Sequence, residues 1–261
     1  MESSNKLVKP LPTNLDCFWR AGLNTPTLSQ HEVHVWLASP NASISQLDGL
    51  RQHLSGDELE KARQYRSIDH QSCFVISRGI LRIILGRYLN CLPRQLHFDY
   101  GPYGKPVLVQ GAGQKDIQFN LSHSRDYVVY SIALSAQLGI DLEYIHPFPE
   151  IRKIVDRFFS LKERNVIFSL PLEHQQTEAF FRYWTQIEAV TKAKGQSLLS
   201  DFGQCTSDIV TMIGDPASLN ASNWSLYQFS PVQNYIASLA IKGNNWHISY
   251  WRYVASELVC A

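Results

Sequence analysis

Leu138-Gly139-Ile140-Asp141-Leu142-Glu143 alternates apolar residues with small or acidic ones. A period of two is the pattern of a strand with one face in a core, so Asp141 and Glu143 project together from the opposite face. Two carboxylates two residues apart repel each other. Taken out of water they need a cation, and a hard, oxygen-preferring ion such as Mg²⁺ answers that need. The other reading of this hexapeptide alone is an exposed edge strand whose acids stand in water. The rest of the chain decides between them.

The chain has 261 residues, 44% hydrophobic and 18% charged, enough for one large core or two modest ones. A net charge of +1 supplies no global basic field for nucleic acid or an anionic membrane. Cys17, Cys73, Cys91, Cys205 and Cys260 are odd in number, scattered and without a CxxC, which reads as reduced thiols in a cytoplasmic protein with no cysteine metal site. Residues 1 to about 30, broken by Pro10, Pro12 and Pro26, read as an irregular extension. No stretch has the apolar length of a signal peptide or of a membrane span of ~18 residues, so a cytoplasmic location is expected.

Val33 to Leu37 alternates as a first strand. Ser55 followed by Glu58 is a capping box opening a helix on which Lys61, Arg63 and Arg66 lie close together. From Gln71 to Asn90 runs a long apolar helix, then a turn-rich loop, Phe98 to Pro106, whose glycines and prolines let backbone approach a ligand. Two strands, Ile117 to Leu121 and Tyr127 to Leu134, are joined by Ser122-His123-Ser124-Arg125-Asp126. After the acidic strand, His146-Pro147-Phe148-Pro149 breaks the chain.

The pattern then repeats. Ser160 and Glu163 form a capping box 105 residues after the first, Phe180 in a second long helix (about Thr177 to Lys194) follows Phe74 by 106, and Ser230 and Tyr235 follow Ser122 and Tyr127 by 108. Such landmarks imply a duplicated α+β chain: an extension (1–30), a first half (31–146) and a second half (147–261), each a long helix on a small antiparallel sheet, related by a pseudo-twofold with the site between them. A duplicated chain carrying both walls of its cleft is expected to be a monomer.

On the second long helix Trp184, Glu188 and Lys192 share a face at i, i+4, i+8. If that face meets the acidic strand, Asp141, Glu143 and Glu188 give the oxygen-rich set that a Mg²⁺ bridging phosphates accepts, and Lys192 could neutralise a transferring phosphate. The segment Asn120 to Ser124 adds a hydroxyl, an imidazole and turn amides suited to phosphate, or a turn fixed by its own serines.

Four stretches in order resemble the surfactin-synthetase type 4′-phosphopantetheinyl transferases: Gly104-Lys105-Pro106, Phe119 to Ser124, Gly139 to Glu143, and Phe181 to Gly195. The resemblance covers roughly Val33 to Ile241. It implies transfer of the phosphopantetheine arm of coenzyme A to a serine of an apo acyl or peptidyl carrier protein, with release of adenosine 3′,5′-bisphosphate. It further implies Mg²⁺ on Asp141, Glu143 and Glu188, Glu188 or a metal-bound water as the base, and Lys192 assisting the leaving phosphate. Ser122 and His123 would contact coenzyme A phosphate, Gly104, Lys105 and Pro106 would run along its adenine, and Lys61, Arg63 or Arg66 would hold the 3′-phosphate. One departure is Ile187, where the family carries lysine, which removes a cation near the phosphates. Two other readings stand beside it: a non-catalytic relative binding coenzyme A or carrier protein, and an unrelated Mg²⁺-dependent phosphotransferase or nuclease. In Ile151 to Gln176 the apolar Phe158, Phe159 and Phe168 could meet a carrier helix or belong to the core.

Overall fold

The computed structural model describes residues 9–10, 19–22, 25–41, 43–109, 111, 115–196 and 223–254. The N-terminal part holds β1 (Lys9–Pro10), β2 (Arg20–Ala21), β3 (Glu32–Ala38), α1 (Ile44–Arg51), α2 (Gly56–Arg63) and α3 (Ile68–Leu89). A 3-10 turn at Pro93–Gln95 leads to β4 (Phe98–Tyr100), β5 (Pro106–Leu108), β6 (Ile117–Ser124), β7 (Tyr127–Leu134) and β8 (Leu138–Tyr144). Then come α4 (Ile151–Phe158), α5 (Leu161–Phe168), α6 (Glu173–Lys194), β9 (Trp224–Phe229), β10 (Tyr235–Lys242) and β11 (His247–Arg252).

The duplication is visible in the helices. α2 and α5 both have 8 residues and start 105 apart; α3 and α6 both have 22 and also start 105 apart. Each long helix stops at a left-handed residue, Asn90 (φ 52) and Gly195 (φ 66), the conformation that closes a helix by satisfying its last carbonyls. The expected Ser160–Glu163 box forms: the Ser160 N–H donates to Glu163 Oε2 at 2.9 Å, and Ser160 Oγ accepts from the Glu163 N–H at 3.4 Å.

One sheet runs β2-β11-β3-β7-β6 and the other β1-β9-β10-β8. Leu138, Ile140 and Leu142 of β8 join Val33, Val35 and Leu37 of β3 and Leu239 and Ile241 of β10 in a core between the two sheets. On the outer faces, Trp36 and Tyr130 pack with Ile80, Leu81 and Ile84 of α3, and Ile236 and Ala240 pack with Phe180 and Val190 of α6. The result is a helix–sheet–sheet–helix stack.

Several sequence expectations are redrawn. β8, placed at the end of the first half (31–146), pairs antiparallel with β10 in the second half's sheet, while β11 from the chain's end lies parallel to β3 of the first. The boundary at 146/147 is therefore crossed by a strand in each direction. Period-two patterning marks a strand's faces but says nothing about which partner satisfies its edge. The loop at 98–106 is a hairpin of β4 and β5, with Gly104 (φ 77) in its turn. Ser122, His123 and Ser124 lie within β6, opposite Val129, Val128 and Tyr127, so the turn is reduced to Arg125-Asp126. The extension at 1–30 contributes β1 and β2 to the outer sheet edges, parallel to β9 and β11. Cys73 and Cys91 are free thiols; Cys17, Cys205 and Cys260 lie outside the described residues. Among the described residues no helix is long and apolar enough to cross a membrane.

Candidate active site

The site is built where β8 meets α6. Gly139 lies against the backbone of Ala189 and Ala193, where a Cβ would collide with the Ala189 carbonyl and the Ala193 amide. Glycine thus brings strand and helix into backbone contact, and the next residue on that strand face, Asp141, comes under the helix. The second face of β8 is covered by α6, not by water, and Asp141 is only 3% exposed. The solvated-edge reading fails.

Lys192 Nζ donates to Asp141 Oδ1 at 2.6 Å and to Ser122 Oγ at 2.9 Å, and Ser122 Oγ in turn donates to the same Asp141 oxygen at 2.9 Å. The other carboxylate oxygen, Asp141 Oδ2, is buried and has no hydrogen-bond partner among the described residues. Glu143 accepts from Ser124 Oγ at 3.0 Å. Burial, and then the Asp141 charge, push Glu143 up to about 7; Glu188 is raised to about 7 for the same two reasons, with Lys192 opposing. Among the described residues no three His, Cys, Asp or Glu side chains are grouped as a ligand shell. Asp141, Glu143 and Glu188 do not form such a group here, and one Asp141 oxygen is held by the Lys192 ammonium.

Two side chains of the Asn120–Ser124 segment hold this geometry. Asn120 Oδ1 accepts from the Ile140 N–H at 2.8 Å, and Ser124 Oγ accepts from the Tyr144 N–H at 3.1 Å. They satisfy amides on the edge of β8 that faces β6 and tie the two sheets together at the site.

On the other side of β6 a cavity of about 390 Å³ opens between α2, α3 and β6. Its wall carries four basic side chains, Lys61, His70, Arg78 and His123, with Tyr65 and Phe74. Burial, with Lys192 and His70 nearby, lowers the His123 pKa from its ordinary value. Of the three bases expected together, only Lys61 lines this cavity. Arg63 pairs with Glu60 at 3.1 Å on an exposed face, and Arg66, beyond the end of α2, is also exposed. Ser122 turns to Asp141 instead of the cavity. The Lys105 ammonium is committed to the Leu138 and Lys192 carbonyls, at 3.0 and 2.8 Å, linking the hairpin to β8 and the last turn of α6; burial lowers its pKa to about 8. Gly104 and Pro106 flank it in the same hairpin. Ile187 is fully buried in the core under α6 with Phe180 and Val190, one residue away from the face that carries Glu188 and Lys192. Its side chain does not border the site.

Residues 137–248 match the family described as the 4′-phosphopantetheinyl transferase superfamily, and residues 38–135 match its N-terminal family, 4′-phosphopantetheinyl transferase, N-terminal. The 4′-phosphopantetheinyl transferase HetI of Nostoc sp. (strain PCC 7120) is 38% identical over 230 residues, covering 87% of this chain and 94% of its own. The chain belongs to the 4′-phosphopantetheinyl transferase superfamily. The transferase psf-1 of Bacillus pumilus is 30% identical over 171 residues, 62% of this chain and 70% of its own. AcpT of Salmonella typhimurium is 36% identical over 116 residues, 44% of this chain and 57% of its own. The two superfamily matches meet between residues 135 and 137, immediately before β8, where the sheet pairing also divides the chain.

Proposed function

We propose that this chain transfers the 4′-phosphopantetheine arm of coenzyme A to a serine hydroxyl of an apo acyl or peptidyl carrier protein, releasing adenosine 3′,5′-bisphosphate. The observation that carries the reading is the clustering of Asp141, Glu143, Glu188 and Lys192 at the β8–α6 contact, one strand away from a basic cavity sized for a nucleotide. A dianionic pyrophosphate needs cations and positioning more than covalent chemistry, and this surface offers both.

The orphaned, buried Asp141 Oδ2 and two carboxylates raised by burial and then by the Asp141 charge are a donor set short of positive charge, which fits a Mg²⁺ held by Asp141, Glu143 and Glu188. When bound, the ion supplies charge neutralisation on the pyrophosphate oxygens. The protein's own groups do the rest. Glu188, on the helix face that meets β8, would take the serine proton itself or through a metal-bound water. Lys192, which here holds Asp141 and Ser122, is placed to stabilise charge developing on the departing phosphate. His123 and Lys61 in the cavity wall hold the far end of coenzyme A, and the Gly104–Pro106 hairpin lies along its adenine.

The matched lengths of the two helix pairs support a reading of this chain as a two-half transferase of the surfactin-synthetase type, and we infer that it acts as a cytoplasmic monomer. Phe159 is core, with Phe158 and Phe168 packed partly against it, so a carrier helix would meet the more exposed Leu161, Val166 and Leu172 around α5 instead. A non-catalytic role loses its motive, since Ile187 is a core residue and not a missing phosphate ligand. Incubation with apo carrier protein, coenzyme A and Mg²⁺, followed by intact mass, should reveal a pantetheinylated serine. Failure to modify any apo carrier, with the protein folded, would overturn the proposal.

A further inference from the structure

Two arginines one turn apart on α3 have opposite fates. Arg82 is 1% exposed and fully engaged: Nε donates to Glu58 Oε2 at 2.7 Å, Nη1 to the Pro93 and Leu96 carbonyls at 3.0 and 2.9 Å, and Nη2 to Ser55 Oγ at 3.0 Å. Arg78 is 6% exposed, yet among the described residues its buried Nη1 has no hydrogen-bond partner and no carboxylate pairs with it. The ring faces of Phe74 and Tyr100 lie 5.6 and 5.7 Å from the centre of its guanidinium. A buried guanidinium N–H without an acceptor is costly, and Arg78 lines the 390 Å³ cavity beside Lys61, His70 and His123. The missing partner is an anion that enters the cavity, and the planar fork of Arg suits a phosphate.

Resting on the coenzyme A reading above, we propose that Arg78 is the specificity-determining residue that reads the 3′-phosphate of coenzyme A. The pyrophosphate is already assigned to the carboxylate cluster on the other side of β6, where Ser122 faces. The cavity, facing away through Leu121 and His123, is left for the phosphate that does not react.

The test compares coenzyme A with 3′-dephospho-coenzyme A, by calorimetric binding and by transfer to an apo carrier, in the full chain and in its R78Q and R78K variants. The wild type should bind coenzyme A about 10- to 100-fold more tightly than the dephospho form, the span of one or two charge-assisted hydrogen bonds. In R78Q that ratio should fall to within about threefold, with binding of the dephospho form little changed, and R78K should recover part of it. Cys73 lines the same cavity, so coenzyme A should slow its alkylation in the wild type and lose that protection in R78Q. Equal weakening of both nucleotides in R78Q, or a wild-type ratio near one if R78Q does not fold, overturns the Arg78 assignment while the transferase reading stands. A wild type that binds neither nucleotide and modifies no carrier removes the transferase reading, and the Arg78 assignment with it.

Discussion

Lys192 on α6 and Asp141 on β8, 51 residues apart, meet at 2.6 Å with Ser122 Oγ bonded to both. A cation from one long helix and an acid from a strand beneath it form the joint on which the whole site rests. Replacing Asp141 by Ala or Asn should abolish transfer, because it removes the carboxylate that Lys192 and Ser122 both bind at the centre of the cluster. Coenzyme A binding, measured with and without Mg²⁺, should weaken mainly in its Mg²⁺-dependent part. Unchanged turnover would show that Asp141 is outside the reaction.

Gly139→Ala should be as damaging to the site without touching a charge. The added methyl meets the Ala189 carbonyl and the Ala193 amide, both backbone, so β8 must lift from α6. A loss of stability of about 1–3 kcal/mol is expected from such overpacking, with a much larger fall in turnover as Asp141 moves from Lys192. Thermal melts and kinetics on the same preparation check both; a variant with wild-type turnover would mean the contact does not set the geometry.

Ile187→Lys should destabilise the protein instead of tightening substrate binding. The side chain is fully buried among Phe180, Val190 and their neighbours, and an unpaired ammonium placed there costs several kcal/mol or drives local rearrangement. Urea titration reads the loss. A variant as stable as wild type that binds coenzyme A more tightly would show that position 187 reaches the site.

Arg82→Met should cost about 3–5 kcal/mol, since it leaves Glu58 buried without its partner. The two sites are separable by measurement: denaturation midpoint falls, while the KM of the folded fraction for coenzyme A stays close to wild type.

Acid should destabilise the fold through His34. Its Nε2 lies 3.0 Å from Glu32, and its Nδ1 lies 2.6 Å from the Tyr88 hydroxyl, which also accepts from Trp36 Nε1 at 2.9 Å. A neutral ring fits these contacts, with Nε2–H donating to Glu32 and Nδ1 accepting the Tyr88 proton. Burial lowers the His34 pKa below 6.5, more than Glu32 raises it, with His247 adding to the lowering. Because the folded pKa lies below the unfolded one, the unfolded chain binds the proton first, and stability is lost as pH falls from about 6.5 toward the folded value. Unfolding free energies of wild type and His34→Gln between pH 5 and 8 should diverge at the alkaline end and converge toward the acid end; parallel curves would contradict this.

Much of the architecture is written locally. The capping pair Ser160–Glu163, the left-handed stops at Asn90 and Gly195 and the 105-residue offset depend on neighbours a few residues away, so their residue types announce them. The acidic alternation at 138–143 likewise revealed a strand and two carboxylates on one face. The sequence by itself determined the long helices, the capped short helices, the acidic strand, the duplication and the chemical types at the site. Tertiary structure alone decided that β8 crosses into the other sheet, that α6 closes over Asp141, that Ser122 and Lys105 turn to protein partners, and that Ile187 and Phe159 face the core. Periodicity fixes the direction of a side chain relative to its own element, whereas its partner is fixed by how elements meet, and that is set by contacts between residues far apart in the chain.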